Sequence, residues 1–307
     1  MQNAEINSAI NELRTLRDLL RWGMSQFNIA GVFFGHGTDN PWDEALALAL
    51  HAIHLPYDAN PAVLDARLTT AERHAIIELF QQRIEQRIPA PYLTHESWFA
   101  GLPFYIDQRA LIPRSPMAEL IEKRFVPWID PDEVGQILDI GTGSGCIAIA
   151  CAMAFPGAMV DAIDNDTDAL EVAKINVSRH HVEDQVNLIV SDVFSALEGK
   201  RYDIIISNPP YVGAEEMASL PPEYLQEPKQ ALAAGKEGLD IALRILQAAL
   251  THLTPKGILV IEVGNTEGAL QARLPNVPFL WLEFERGGGG VLLLTATQLA
   301  EYAHELK

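Results

Sequence analysis

Residues 137–145 read Ile-Leu-Asp-Ile-Gly-Thr-Gly-Ser-Gly, an apolar run that passes directly into alternating glycines. The apolar run predicts a buried strand, and the glycines predict a tight turn because glycine tolerates backbone conformations that other residues avoid. Small apolar residues follow Gly145 and favour a helix that opens from the turn. Such a turn lets the main chain approach a ligand closely and presents unpaired N–H groups at the helix N-terminus. The stretch therefore predicts a ligand site at a strand-to-helix turn.

Strand-like and helix-like segments alternate downstream of Gly135, which predicts an α/β fold with a doubly wound, mostly parallel sheet. Seven strands are expected, over residues 136–140, 159–164, 186–191, 202–207, 257–263, 279–285 and 291–297. The last two strands are separated by residues 286–290 alone, too short a connection for a parallel crossover. The last strand is therefore predicted to be antiparallel.

The N-terminal part of the chain is predicted to be a small helical domain over residues 1–94. Asn40 and Pro41 form a helix-start signal, and Thr69 with Glu72 fits a capping box. From that box an apolar stripe at helical spacing continues through Ile76, Ile77, Phe80, Ile84 and Ile88.

Two further segments complete the predicted domain organisation. Aromatic and small residues alternate over 97–107, so residues 95–112 are predicted to form a hairpin linker. Residues 113–307 then form the α/β domain that carries the glycine turn.

Composition limits the kinds of partner that the protein can have. The 307 residues include 22 Lys plus Arg against 41 Asp plus Glu, a net charge of −19. Such a surface repels nucleic acid over about 8 Å at physiological salt and attracts a basic protein, so no direct nucleic-acid binding is expected. Without a signal peptide or an apolar run of membrane-spanning length, we expect a cytoplasmic protein with no membrane contact. Cys146 and Cys151 are predicted to be reduced core thiols, and no metal site is predicted.

Two later strand ends carry candidate ligand-binding residues. Asp164 ends the second strand of the sheet, where a carboxylate can accept hydrogen bonds from both hydroxyls of a ribose. Asp166 is the better candidate for the cap of the next helix. After the third strand, Asp192 could accept a hydrogen bond from an adenine amino group, and Val193 could pack on the ring.

The fourth strand ends in Asn208-Pro209-Pro210-Tyr211. Two prolines at the end of a buried strand donate no hydrogen bonds and stiffen the turn, which indicates a functional reason for them. In a doubly wound sheet the first and fourth strands flank the point where strand order reverses. The glycine turn and this Asn-Pro-Pro-Tyr turn are therefore expected to face one crevice.

The chemistry that such a turn favours is attack by a planar amide or amino nitrogen. The side-chain oxygen of Asn208 and the main-chain carbonyl of Pro209 can each accept one hydrogen of an NH2 group. An amide nitrogen is a weak nucleophile, and holding both hydrogens aims its lone pair at an electrophile such as a sulfonium methyl group. Tyr211 is expected to pack flat against the planar group.

Together, the glycine turn (DIGTGSG), Asp164, SDVF at 191–194 and SNPPY at 207–211 resemble the HemK-like protein-glutamine methyltransferases. This family has a class I S-adenosylmethionine-dependent methyltransferase fold preceded by a small helical domain. Four further stretches resemble the branch that methylates a glutamine of the third protein of the large ribosomal subunit: residues 36–45, 111–121, 227–239 and 279–291. The linker at 113–119 departs from the pattern of the release-factor branch.

The resemblance implies S-adenosylmethionine as the cofactor and a basic ribosomal protein as the substrate. Together with the strand-end residues, it gives a predicted cofactor site of Asp139, Gly141, Thr142, Gly143, Ser144, Gly145, Asp164, Asn165, Asp192, Val193 and Asn208. The predicted catalytic residues are Asn208, Pro209, Pro210 and Tyr211.

Three alternatives stay open at this point. Glutamine methylation of a peptide-chain release factor uses the same chemistry. Methylation of the adenine amino group in nucleic acid uses the same turn but needs a basic groove, which the net charge argues against. A nicotinamide-dependent oxidoreductase could use the glycine turn and Asp164 but leaves the residues 208–211 unexplained.

Overall fold

The computed structural model describes residues 3–306 of the chain. Its residues form two compact units. One contains the residues up to Glu96 together with Pro221–Gln226, and the other contains Ser97–Leu220 together with the residues from Glu227 onward. The domain boundaries predicted at residues 94 and 112 stay predictions. That a six-residue segment from the middle of the chain belongs to the first unit was not expected from the sequence.

The first unit is helical, as its periodicity predicts. Its α-helices are α1 (Asn3–Glu12), α2 (Leu16–Ile29), α3 (Pro41–Ala52), α4 (Thr70–Glu85) and α5 (Ala90–Thr94), with 3₁₀ turns at Pro61–Asp65 and Pro222–Gln226. The start signals are confirmed: the side chain of Asn40 accepts hydrogen bonds from the first turn of α3, and Thr69 and Glu72 form a capping box at α4. Apolar side chains from α1 to α5 form one core.

Helix α4 is shorter than its apolar stripe indicates. Ile76, Ile77, Phe80 and Ile84 are buried along it as predicted. The helix ends at Glu85, however, and Arg87 has a φ of +58°, so Ile88 lies beyond the helix and is only half-buried. The left-handed backbone at Arg87 ends the helical periodicity before the apolar pattern stops.

From Glu96 onward the chain alternates strands and helices. The elements are the hairpin β1 (Glu96–Phe99) and β2 (Leu102–Tyr105), then α6 (Ala118–Glu122), β3 (Gln136–Ile140), α7 (Cys146–Ala154), β4 (Met159–Asp164), α8 (Thr167–His180), β5 (Val186–Val190), β6 (Tyr202–Ser207), α9 (Ala214–Met217), α10 (Asp240–His252), β7 (Leu253–Glu262), α11 (Glu267–Arg273), β8 (Leu280–Trp281), β9 (Val291–Thr295) and α12 (Ala296–Glu301). The hairpin expected within residues 97–107 is present, and its role as a linker stays a prediction.

The seven-stranded sheet has the predicted doubly wound topology. Its strand order is β5-β4-β3-β6-β7-β9-β8, so the order reverses between β3 and β6. Strands β3 to β7 pair in parallel, and β9 pairs antiparallel with both β7 and β8, which confirms the antiparallel last strand. Buried side chains on its two faces pack against helices in two cores, as a sheet with helices on both sides requires.

The C-terminal strands differ in length from the predictions. Strand β8 keeps only two of the seven residues expected over 279–285, and β9 ends at Thr295 because that residue caps α12. Cys146 and Cys151 lie buried in α7 as free thiols. Within residues 3–306, none of the helices has the length and apolar character that crossing a bilayer requires.

Candidate active site

A cavity of about 280 Å³ lies in the second unit where β3, β4, β5 and β6 end. The residues just after these strands line it, because the carboxyl ends of neighbouring parallel strands meet at one edge of a sheet. The contributions are Ile140 at the end of β3 and Gly141 after it, Asp164 at the end of β4, Ser191 to Val193 after β5 and Asn208 to Pro210 after β6. The two turns predicted to face one crevice are therefore on the same cavity.

The glycine turn has the backbone that its sequence predicts. Gly141, Gly143 and Gly145 have φ angles of +72°, +55° and +80°, in the left-handed region that glycine occupies at little cost. A Cβ atom placed on Gly141 would come within 3.9 Å of the carbonyl oxygen of Asn208, so the two turns approach each other closely.

Four main-chain amides of the glycine turn have acceptors within the protein. Gly141 and Thr142 both donate to the carbonyl of Ile163 at 2.9 Å. Gly143 donates to Oδ2 of Asp164 at 2.9 Å, and Gly145 donates to the carbonyl of Thr142 at 2.8 Å. The neighbouring strand β4 thus accepts three of these four hydrogen bonds.

Asp139 is one of the predicted cofactor residues that do not line the cavity. It is completely buried and accepts hydrogen bonds from the hydroxyl of Thr142 at 2.6 Å and from the amide of Ala148 at 3.1 Å. Burial raises the pKa of Asp139 to about 7. Through these two hydrogen bonds the carboxyl group holds the glycine turn next to the first turn of α7. Thr142, Ser144 and Gly145 are likewise absent from the cavity wall.

Asp164 lines the cavity with Asn165, as predicted for a ribose-binding carboxylate. Its oxygens accept the amides of Gly143 at 2.9 Å and Asp166 at 3.0 Å. Each carboxylate oxygen has a second lone pair, so the group could still accept two hydroxyl donors. Burial raises the pKa of Asp164, and the amide hydrogen bonds oppose that shift. Asp166 caps α8, as the sequence indicated.

The turn after β5 brings Asp192 and Val193 to the cavity. Val193 has a φ of +50°, a left-handed conformation that is uncommon for a β-branched residue, and its carbonyl accepts a hydrogen bond from the hydroxyl of Ser191 at 2.8 Å. Val193 thus supplies an apolar side chain that could pack on an adenine ring. Asp192 is exposed and paired with Arg244 at 2.8 Å, so one of its oxygens already has a partner.

The Asn-Pro-Pro-Tyr turn places three of its four residues on the cavity wall: Asn208, Pro209 and Pro210. The side-chain oxygen of Asn208 is buried and accepts no hydrogen bond from any residue within 3–306. Tyr211 is outside the cavity lining, and its hydroxyl donates to Glu262 at 3.1 Å. The ring of Tyr211 lies against Gly264, where a Cβ atom would come within 2.5 Å of it.

Other residues on the cavity wall were not predicted from the sequence. They are Arg109, Ala110, Leu111, Ile140, Asp166, Ala169, Ser191, Pro228, Gln230, Ala231, Ala233 and Ile241. Three of them, Ile140, Asp166 and Ser191, adjoin predicted site residues. Leu111 and residues 228–233 belong to stretches that resemble the family, but nothing in their sequence pattern places them at the cavity. The side-chain amide of Gln230 donates a hydrogen bond to the carboxylate of Asp166.

The fold and the cavity define a methyltransferase, and comparisons with known proteins agree with that class. Residues 123–238 match the family model described as "Methyltransferase small domain". The ribosomal protein uL3 glutamine methyltransferase of Neisseria gonorrhoeae is 48% identical over 294 residues, covering 95% of this chain and 98% of that protein. The protein of the same name from Francisella tularensis is 46% identical over 299 residues, covering 97% and 95%. The chain belongs to the family of ribosomal protein uL3 glutamine methyltransferases.

The solved structures add support for the fold. The hMettl16 catalytic domain in complex with MAT2A 3′UTR hairpin 6 matches with a TM-score of 0.51 and 18% identity, covering 73% of this chain and 81% of that one. At this identity the likeness concerns the fold alone.

The cavity suits S-adenosylmethionine, the methyl donor of this class. The glycine turn leaves room for a ligand next to the sheet, Asp164 offers acceptors for a ribose, and Val193 offers an apolar surface for an adenine. The buried, unpartnered oxygen of Asn208 is an acceptor that a donor in the cavity could satisfy. Within residues 3–306 no group of three or more His, Cys, Asp and Glu side chains has an arrangement that could hold a metal ion.

Proposed function

We propose that this chain transfers a methyl group from S-adenosylmethionine to the side-chain amide nitrogen of a glutamine in ribosomal protein uL3. Two relatives that align with it over nearly its whole length carry that activity in their names. The structural observation that carries the proposal is the buried oxygen of Asn208, which has no hydrogen-bond partner in the described chain and adjoins the cavity bordered by the glycine turn.

In the proposed reaction the residues of the acceptor turn hold the substrate amide. The oxygens of Asn208 and Pro209 each accept one N–H of the glutamine NH2 group, which fixes its orientation. Both acceptors also stabilise the positive charge that develops on the nitrogen as the new bond forms. Positioning and electrostatics therefore replace a general base, and the proton is lost to water once the methylated nitrogen has become acidic.

The other residues of the cavity hold the cofactor in this proposal. S-adenosylmethionine supplies an electrophilic methyl group on a sulfonium. Asp164 accepts the ribose hydroxyls, and Val193 with Ile140 provides apolar contacts for the adenine. Asp139 acts indirectly, since its hydrogen bonds to Thr142 and Ala148 keep the glycine turn in place.

The helical region over residues 1–94 is assigned to substrate recognition in the same proposal. A chain with a net charge of −19 complements a basic ribosomal protein better than the phosphates of nucleic acid. We therefore expect the enzyme to contact the protein substrate itself and not RNA.

Labelling tests the proposed reaction directly. The purified protein is incubated with S-adenosylmethionine labelled in its methyl group and with ribosomal proteins from cells that lack the enzyme. Labelled peptides are then identified by mass spectrometry. We expect the label on one glutamine of uL3, with a mass increase of one methyl group. Heat-denatured enzyme and ribosomal proteins from cells that contain the enzyme serve as controls and should take up little label.

The alternatives give different results in the same experiment. A purified release factor and ribosomal RNA are included as separate substrates. Label on a release-factor glutamine in preference to uL3 would redirect the substrate assignment, and label on adenine would overturn it. No label on any protein would reject the proposed function.

A further inference from the structure

The segment that contains Arg109 is anchored beside the glycine turn. The side chain of Asn176, which is completely buried in α8, accepts the amide of Tyr105 at 2.7 Å and donates to its carbonyl at 2.9 Å. The same amide group of Asn176 donates to the carbonyl of Ser144 at 2.9 Å. One buried side chain therefore joins the start of this segment to the glycine turn.

The end of the segment is anchored beside the other wall of the cavity. The amide of Ile112 donates to Glu227 at 3.1 Å, and Arg114 forms a two-pronged ion pair with the same carboxylate at 2.6 and 2.9 Å. Glu227 directly precedes Pro228, which lines the cavity. Residues 109–111 are thus held at the cavity from both sides.

Arg109 is the one cationic side chain among the described residues that line this cavity, whereas Asp164, Asp166 and Asp192 are acidic. Asp107 holds one edge of its guanidinium, with Nε at 2.9 Å and Nη2 at 2.6 Å from the carboxylate. Although burial raises the pKa of Asp107, the hydrogen bonds from Arg109 hold it at about 2. The pair is therefore charged at all working pH values.

The second edge of the guanidinium, formed by Nη1 and Nη2, can still donate hydrogen bonds. The guanidinium also interacts with the side chain of Tyr105. Its contacts with Asp107 use Nε and one hydrogen of Nη2, so the hydrogens of Nη1 and the second hydrogen of Nη2 lie outside that pair. These two groups form the end-on fork that matches a carboxylate in geometry. Because Asp107 already fixes the side chain, little rotamer entropy remains to be lost when a ligand binds this fork.

S-adenosylmethionine carries a carboxylate on its methionine end. The glycine turn offers this carboxylate few main-chain N–H donors. Gly141 and Gly143 line the cavity, yet both amides donate to groups of β4. The side-chain amide of Gln230 is paired with Asp166. The aspartates of this cavity suit the ammonium and sulfonium groups of the cofactor, whereas its carboxylate is matched by a cationic side chain.

We propose that Arg109 binds the methionine carboxylate of S-adenosylmethionine through the Nη1–Nη2 edge of its guanidinium. This inference rests on the proposed function, because it requires that cofactor in this cavity. Asp107 is a positioning residue in the same arrangement, since it touches Arg109 and not the ligand.

Calorimetric titration with two ligands tests the proposal without any turnover. S-adenosylhomocysteine contains the amino-acid carboxylate, and 5′-methylthioadenosine keeps the nucleoside and sulfur but lacks the amino-acid part. For Arg109→Ala we expect the affinity for S-adenosylhomocysteine to fall by about 10- to 100-fold, the loss of one charged, two-pronged interaction. The affinity for 5′-methylthioadenosine should change by less than about twofold. Arg109→Lys keeps the positive charge but loses the two-pronged geometry. Its affinity for S-adenosylhomocysteine should therefore lie between those of the wild type and Arg109→Ala.

Arg17→Ala is the matched control. Arg17 forms a similar pair with Asp65 through Nε and Nη2, but it belongs to α2 of the first unit and is not one of the residues that line the cavity. Both affinities should match the wild type in this variant.

The outcomes separate the two proposals. If wild-type protein binds neither ligand, the cofactor cavity itself is wrong and both proposals fall. If the wild type binds and Arg109→Ala loses both ligands equally, or loses neither, Arg109 has no specific role at the carboxylate. Normal binding of 5′-methylthioadenosine by Arg109→Ala also shows that the variant is folded at this site.

Discussion

Asn208 is half-buried at the cavity wall, and its side-chain oxygen is buried and accepts no hydrogen bond from any residue within 3–306. Leaving a polar group buried and unpaired costs about 1–3 kcal/mol. A substrate NH2 group that enters the cavity is a donor that this oxygen could accept. The oxygen is held in place before the substrate arrives, as a preorganised acceptor is.

Asn208→Ala should therefore separate stability from activity. We expect single-turnover methyl transfer to fall by roughly 10²- to 10³-fold, the usual loss when one preorganised hydrogen-bond partner is removed. The melting temperature should stay the same or rise slightly, because the variant no longer buries an unpaired oxygen. Asn265→Ala, which alters an exposed amide of the same unit, serves as the control. Unchanged turnover in Asn208→Ala would exclude this side chain from the mechanism.

Asp164 gives the site a pH dependence whose direction follows from its environment. Burial raises the pKa of this carboxyl group in the protein without ligand. Only the ionised form accepts two ribose hydroxyls, so affinity is complete above that pKa and falls as the pH drops through it. Titrations with S-adenosylhomocysteine between roughly pH 4.5 and 8 should show this acid limb, which starts above the ordinary Asp range of about 4.

Asp164→Asn is the variant that assigns this pH dependence. Its amide cannot ionise, so we expect weaker binding at neutral pH and an acid limb that is largely lost. An acid limb of the same midpoint and depth in Asp164→Asn would assign the titration to another group.

How far the sequence predicts the site depends on whether a residue follows a strand. Asp164 ends β4, Val193 lies in the turn after β5 and Asn208 follows β6 directly, and the topology of a doubly wound sheet brings such positions together. Arg109 and Gln230 lie in irregular segments, whose positions depend on contacts with residues far away in the chain. The hydrogen bonds of the Gly141 and Thr142 amides could not be predicted for a related reason, since their acceptor, the carbonyl of Ile163, belongs to another strand.

At the scale of elements, the first unit contains a buried ion cluster that a helical pattern does not predict. Arg83 of α4 is 1% exposed and pairs with Glu44 of α3, which is 1% exposed, and with Glu223 at 3.2 Å, which is completely buried. Glu223 also accepts the amide of Phe33 at 3.1 Å and pairs with Arg87 at 3.3 Å. Through these contacts the segment Pro221–Gln226 becomes part of the helical unit.

Glu223→Ala should destabilise the helical unit strongly. The change leaves Arg83 and Arg87 with Glu44 as the remaining carboxylate of the cluster, and removing one partner of a buried ion pair costs about 3–5 kcal/mol. Urea denaturation followed by tryptophan fluorescence measures this, since Trp22 and Trp42 lie in the helices of this unit. We expect the transition that reports on these tryptophans to shift to lower urea.

Leu225→Ala is the control for that experiment, because its side chain lies in the same segment but is 68% exposed. It should change the transition by less than about 0.5 kcal/mol, as surface substitutions usually do. If Glu223→Ala unfolds at the same urea concentration as Leu225→Ala, the ion cluster does not hold this segment.

At the scale of the whole molecule, charge is the property that most affects how the enzyme meets its substrate. The chain carries a net charge of −19, and the proposed substrate is a basic protein. Opposite net charges speed association, and salt screens that attraction with a Debye length of about 8 Å at physiological ionic strength. S-adenosylmethionine is small and carries charges of both signs, so its binding should respond much less to salt.

The expected result is a salt effect confined to the protein substrate. Between roughly 50 and 500 mM KCl the KM for uL3 should rise by about tenfold, because electrostatic steering is lost as ions screen both surfaces. The kcat should stay nearly constant, since the methyl transfer takes place after the complex has formed. The affinity for S-adenosylhomocysteine, measured at the same salt concentrations, serves as the internal control. A KM that does not change with salt would mean that recognition depends on local contacts and that the acidic surface has no part in it.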